Sequence, residues 1–342
     1  MSFCYFVTHP LSHCKQGESR KNPRQRKKEK MDFAAVIAQE RVLLAEGSVI
    51  ERLRRGKKIA LDPHAEHALL IYDIEGRKEL ERMWRGYADV GREFSLPMIL
   101  LSPTWRANEE RLRAAGHSNV EKVNRDGVRF LAELRGRYGD YSPRIFIGGL
   151  MGCRGDAYQP AQVLSEREAA RFHARQIRAL ADTETDFLMA ATLPALSEAV
   201  GIARAMAETG KPYVLSFVIR ASGALLDGTP LSEAVARIDA EVTPKPAGFM
   251  VNCVHPQVFA AALDHECARR HELRERIIGL QANTSRKSPE ELDQSAEYFA
   301  ESPETLAEGM LSAHRRFGTR ILGGCCGTDE RHLRAIAARC VA

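Results

Sequence analysis

The chain predicts an α/β fold, a (β/α)8 TIM barrel, on three observations. Short apolar runs alternate with helix-length amphipathic stretches; the runs number eight; and three cysteines fall just past the ends of two of them. Eight strands joined by right-handed helical crossovers close most simply into a barrel. Length agrees: 342 residues, 44% of them hydrophobic, accommodate one barrel of ~250 residues plus insertions without a second domain.

The strand candidates are 42–45, 98–101, 145–147, 187–190, 213–217, 248–251, 277–280 and 320–322. Helical patterns lie between them. The clearest places Leu196, Ala199, Val200, Ala203, Met206 and Ala207 on one stripe and ends at Gly210, before Lys211-Pro212. After the last strand, 329–339 reads as a helix with an acidic first turn and apolar Leu333, Ile336 and Ala337.

Charge is unevenly placed. Residues 1–30 hold eight Lys/Arg against Glu18 and Glu29, a charge of +6, so the total of +5 leaves −1 for the remaining 312 residues. The run from Arg24 to Lys30 has no interleaved aromatics, so the segment reads as a solvated, disordered tail rather than a nucleic-acid contact. Met31 follows directly, and recognisable pattern begins there, so the expectation is a single domain over 31–342 and a natural start at Met31. No apolar run approaches the ~20 residues of a membrane span. Eight cysteines at irregular spacing suit reduced thiols in a cytoplasm rather than a disulfide framework.

Cys253 follows Val251-Asn252 at the end of the sixth run, and Cys325 and Cys326 stand in Gly323-Gly324-Cys325-Cys326-Gly327-Thr328 on a strand-to-helix turn after the eighth. Adjacent cysteines disulfide-bond to each other only through a strained ring, but both sulfurs can reach one ion when glycines free the backbone. Carboxyl ends of strands are where parallel α/β folds build their sites. Three thiols meeting there suit a zinc ion with one open position. Two alternatives stay open: a closed structural site, for which His255 is the nearest fourth ligand, and a redox pair at Cys325-Cys326. Cys153, after the third strand, reads as a bystander near the pocket, Cys267 and Cys340 as packing or surface residues, and Cys4 and Cys14 as part of the tail.

Those cysteine segments resemble the zinc ligands of the zinc-dependent homocysteine S-methyltransferase family, which includes betaine–homocysteine methyltransferase and the homocysteine-binding module of methionine synthase. Weaker similarity runs from about Val42 to Ala338, including Ala45-Glu46-Gly47 after the first strand and Gly210-Lys211-Pro212 with Ser222–Gly228 around the fifth. The resemblance implies a (β/α)8 barrel, Zn2+ on Cys253, Cys325 and Cys326, a small thiol acceptor with a separate methyl donor, and no membrane or nucleic-acid partner. It further implies that Glu46 grips the acceptor's ammonium group, the alternative being a surface glutamate opening a helix. Gly47, Thr104, Trp105, Asn252 and Gly324 complete the expected substrate-binding set, with the Trp105 ring facing a methylated cation or packing in the core. A free thiol, with a pKa of about 8.5, is mostly protonated at neutral pH, and metal coordination removes that proton. One departure stands out: Ala191, in Ala190-Ala191-Thr192-Leu193-Pro194, occupies the place of a family glutamate that also holds the amino group. The expected function is methyl transfer to homocysteine, with another small thiol or a non-catalytic zinc or ligand-binding protein as alternatives.

Overall fold

The computed structural model describes residues 32–56, 58–287 and 301–341, together with Met1 and Glu291. The basic segment, the start expected at Met31, Cys4 and Cys14 lie outside those residues.

Eight parallel strands close into a barrel in sequence order: β1 Leu43–Ala45, β2 Met98–Leu101, β3 Ile145–Met151, β4 Phe187–Leu193, β5 Tyr213–Phe217, β6 Gly248–Val254, β7 Ile277–Ala282 and β8 Ile321–Gly324. Closure comes from β1 against β8, with Leu44 opposite Leu322. Each strand is buried on both faces, which is why its sequence is a continuous apolar run rather than an alternating one. Leu43, Ala45, Ile99, Leu101, Phe146, Phe187, Met189, Val214, Met250, Ile278 and Ile321 fill the barrel interior. Their strand neighbours Leu44, Leu100, Ile147, Leu188, Leu215, Val251 and Leu280 pack outward in the larger cluster with the helices.

Helix α1 (Phe33–Gln39) plugs the amino-terminal end of the barrel. Its Phe33 ring stacks on Phe187, at the first position of β4, with centroids 3.8 Å apart. Asp32 caps this helix by accepting from Ala34 N. The remaining helices are α2 Ile50–Gly56, α3 Ile74–Glu93, α4 Glu109–Ala114, α5 Val120–Gly136, α6 Glu166–Ala181, α7 Leu196–Ala207, α8 Leu231–Glu241, α9 Pro256–Arg269, α10 Leu273–Arg276, α11 Pro303–Phe317 and α12 Glu330–Val341. Their starts follow local chemistry: Asp73 and Asn119 cap α3 and α5, and Ser165 with Glu168 forms a capping box on α6. No described helix is long and apolar enough to cross a membrane.

Five strands run further toward the carboxyl end than their apolar runs suggest. Gly148-Gly149, Thr192, Asn252-Cys253, Gln281 and Gly323-Gly324 read as turn or loop residues, yet each stays in the ladder. In β4 and β6 the extension carries a bulge, after Ala190 and after Asn252. Bulges re-aim side chains at barrel rims, and these two lie where the functional groups converge.

Candidate metal centre

The sulfurs of Cys253, Cys325 and Cys326 all lie within 4.8 Å of one another. Two strand ends bring them there. Beyond β8 the chain is pinned by hydrogen bonds from Gly324 N to Glu46 O (3.0 Å), Cys325 N to Ala282 O (2.7 Å) and Thr284 N to Cys326 O (3.1 Å). Thr328 Oγ1 closes the turn by donating to Cys325 O at 2.6 Å. Glycine is required on both sides: Gly327 has φ 87°, and a Cβ at Gly324 or Gly327 would collide with the side chain of Thr328 or Thr284.

Cys253 stands at the β6 bulge with φ 59°, a left-handed conformation that side chains rarely adopt, and Thr192 at the β4 bulge has φ 60°. Asn252 holds both. Its Oδ1 accepts from Thr192 N at 3.0 Å and from Ser216 Oγ at 2.7 Å, while Nδ2 donates to Thr192 Oγ1 at 2.8 Å and to Cys253 Sγ at 3.3 Å. Every polar atom of this buried amide is therefore engaged. Backbone strain of order 1–3 kcal/mol per residue persists only where the surroundings hold it, and here one side chain does so.

Charge distribution shows how the cluster suits a metal. Cys253 is held well below the usual thiol range by the thiols of Cys325 and Cys326, against the effect of burial and with help from Tyr158 and Asn252. Cys325 is pushed well above that range, and Cys326 up to about 12, chiefly by the same contact with Cys253. The opposite directions of these shifts reflect like-charge repulsion, which disfavours a second thiolate beside the first in a buried site. A divalent ion reverses that balance and deprotonates the coordinating thiols. An all-sulfur donor set of three fits zinc with one position open.

His255 does not supply a fourth ligand. Its Nδ1 accepts from Gln257 N at 3.1 Å, capping α9, and its Nε2 pairs with Glu301 Oε2 at 2.8 Å. Cys153 also stays outside the cluster; burial pushes its thiol up to about 11.

The cluster opens on a cavity of about 780 Å³ at the carboxyl ends of the strands, lined among others by Glu46, Gly47, Trp105, Ala191, Asn252 and Gly324. Glu46 is not a surface residue opening a helix: it is 6% exposed, ahead of α2. Its Oε2 accepts from Trp84 Nε1 and from Leu101 N, both at 2.7 Å. Burial outweighs these bonds and raises its pKa to about 8. Thr104, expected at the substrate, is instead turned into the barrel wall, where Oγ1 donates to Leu150 O at 2.6 Å and shares a hydrogen bond with Ser102. One face of the Trp105 ring is covered by the Arg106 guanidinium at 3.9 Å, and its Nε1 lies 3.4 Å from Ala191 O. The indole thus lies against the backbone of the position where a glutamate was expected.

Sequence reasoning missed Tyr158, Thr192, Ser216 and Trp84. Tyr158 lies on the connection between β3 and α6 and faces the thiol cluster, whose charge at Cys253 drives its own pKa upward. The length of that connection was a usable signal, since long βα loops at the carboxyl face of a barrel build the site.

Comparison with known proteins agrees with this geometry. The chain is 28% identical over 193 residues to a homocysteine S-methyltransferase of Bacillus subtilis, YbgG, an alignment covering 54% of this chain and 56% of that protein. It is 27% identical over 241 residues to the homocysteine S-methyltransferase of Escherichia coli, covering 68% of this chain and 73% of the relative. In three dimensions it resembles the metallated form of the homocysteine methyltransferase MmuM from Escherichia coli, with a TM-score of 0.71 at 21% identity, over 89% of this chain and 98% of that one. The homocysteine S-methyltransferase family model matches residues 43–340, and the chain belongs to that family.

Proposed function

We propose that this protein is a zinc-dependent S-methyltransferase that moves a methyl group from a sulfonium or ammonium donor to a small thiol, with homocysteine as the leading acceptor. The observation that carries this reading is the convergence of three sulfurs within 4.8 Å on a cavity that Glu46 also lines. Zinc bound by Cys253, Cys325 and Cys326 would supply the charge that holds an acceptor sulfur as thiolate at neutral pH.

In the transfer, the acceptor sulfur forms a bond to the methyl carbon as the bond from that carbon to the donor's sulfur or nitrogen breaks, and the leaving atom keeps the electron pair and becomes neutral. The residues of the chain orient these partners. Asn252 fixes the Cys253 sulfur, Gly324 and Gly327 keep the turn beyond β8 close to its neighbours, and Glu46 offers a carboxylate to an ammonium group. A bound ammonium returns Glu46 toward its ionised form, since an opposite charge nearby offsets burial. The cavity volume falls within the ~300–1,000 Å³ of small-molecule sites. Collinear placement of sulfur, methyl and leaving group supplies much of the remaining rate.

A second reading, a different small thiol on the same zinc site, is favoured by Ala191 and by the Trp105 indole against it. Loss of one of two carboxylates around a buried ammonium costs about 1.5–3 kcal/mol of binding. A donor-by-acceptor activity screen on the zinc-loaded protein, with metal analysis of Cys253→Ala and Cys325→Ala, tests the proposal. Expected are about one zinc per chain, its loss in both variants with the fold kept, and methylation of homocysteine. Full zinc occupancy in both variants would remove the basis of the reading.

A further inference from the structure

Arg106 is the least expected charge in this molecule. Its side chain leaves the turn after β2 and lines the same cavity, yet the residue is only 6% exposed. Its Nη1 donates to Gly155 O at 2.6 Å and Cys153 O at 3.2 Å, and its plane lies on the Trp105 ring. The guanidinium also bonds to the Cys153 side chain, whose thiolate form it favours. Arg111, half-buried in the same wall, donates to Gly155 O at 3.2 Å, to Arg154 O at 3.4 Å and to His64 O at 3.2 Å. Two guanidinium groups therefore converge on one carbonyl oxygen.

Neither cation has a carboxylate within ion-pair distance among the described residues. The acids around them are committed elsewhere: Glu66 to Arg54, Glu110 to Arg154, and Asp156 to Tyr158 N and Gln159 Nε2. The proximity of Arg106 also lowers the pKa of Arg111, second to burial. Arginine cannot escape burial by losing its proton, and a buried charge without a counter-charge is costly. Two guanidinium groups on a cavity wall, neither in a salt bridge with a carboxylate among the described residues, match a carboxylate, which a planar guanidinium binds in a bidentate fork.

We propose that Arg106, backed by Arg111, forms an anion subsite that binds a substrate carboxylate. Naming the occupant as one of the two methyl-transfer substrates rests on the methyltransferase reading; the subsite itself rests on the two arginines. The carboxylate comes either from the thiol acceptor or from the methyl donor, and both enter this cavity.

The test measures affinities of the zinc-loaded protein by calorimetry for matched pairs that differ at the carboxylate: homocysteine against 3-aminopropane-1-thiol, and trimethylglycine against choline. In wild type, removal of the carboxylate weakens binding about tenfold or more in one series, and that series identifies the source. Arg106→Gln weakens the carboxylated ligand by a similar factor and leaves its partner unchanged, while Arg106→Lys, which keeps the charge without the fork, falls between. Propionate, which carries neither a thiol nor an onium centre, is titrated in parallel by tryptophan fluorescence. Its binding to wild type but not to Arg106→Gln upholds the subsite even where the sulfur and onium ligands fail to bind, an outcome that faults the methyltransferase reading instead. Absence of any carboxylate preference in wild type, together with no response to propionate, overturns the proposal whether or not Arg106→Gln folds.

Discussion

The Asn252 amide bonds to the sulfur of its own neighbour: Nδ2 stands 3.3 Å from Cys253 Sγ, and the same nitrogen reaches Thr192 Oγ1, 60 positions away, at 2.8 Å. One side chain thus sets the direction of a metal-binding sulfur and ties β6 to β4, while its oxygen ties in Ser216 on β5.

Asn252→Ala removes all four of these hydrogen bonds and leaves Thr192 N and Ser216 Oγ in a buried site without their acceptor. Stability is expected to fall by about 1–3 kcal/mol, measured by denaturant unfolding. Zinc affinity is expected to fall about 10–100-fold, the usual effect of losing a group that orients a metal ligand, measured by chelator competition.

Glu46 makes stability depend on pH. Its folded pKa of about 8, raised by burial, lies above the roughly 4.3 of an unfolded glutamate. Between those values the folded state holds a proton that the unfolded state has released, so stability falls as pH rises through the window and levels off above it. In ligand-free Glu46→Gln this slope should flatten, because the glutamine oxygen still accepts from Trp84 and Leu101 and no charge is buried. The same variant should bind an amino-bearing acceptor more weakly. Unfolding curves across pH 5 to 9, with acceptor KM at neutral pH, check both statements.

His255→Ala separates an open metal site from a closed one. The imidazole caps α9 and pairs with Glu301 rather than facing the sulfurs, so zinc content should be unchanged. Stability should drop by about 0.5–2 kcal/mol from the lost cap. Loss of zinc in this variant would restore the closed structural site.

Ala191→Glu probes acceptor identity. The new carboxylate would enter the cavity wall beside Trp105 and supply a second anion for an acceptor ammonium, so the KM for homocysteine should fall about tenfold. Abolished activity with the best acceptor from a screen would mean that the wall is shaped for a group a carboxylate obstructs, and a wild-type preference for a thiol without an amino group would point the same way.

Local pattern in the sequence was enough to place all eight strands, because a strand buried on both faces must be a short apolar run, and the helices between them must carry an apolar stripe. It was also enough to single out Cys253, Cys325 and Cys326, since glycines around adjacent thiols at a strand end have few other uses, whereas Glu46 stood out only through the family resemblance. Tertiary structure alone decided the rest. Cys253 and Cys325 lie 72 positions apart, and only barrel closure brings their sulfurs to one point. The role of Asn252 depends on bulges in two strands, and no sequence period marks a bulge. Trp84 reads as one more apolar position of α3 until its Nε1 is found on Glu46. Thr104 and His255 looked like site residues by position, but the direction of each side chain, into the wall and onto a helix start, was fixed by contacts distant in sequence. No local pattern marks Arg106, which becomes a buried charge on the cavity wall only when the connection after β3 brings the Cys153 and Gly155 carbonyls to it.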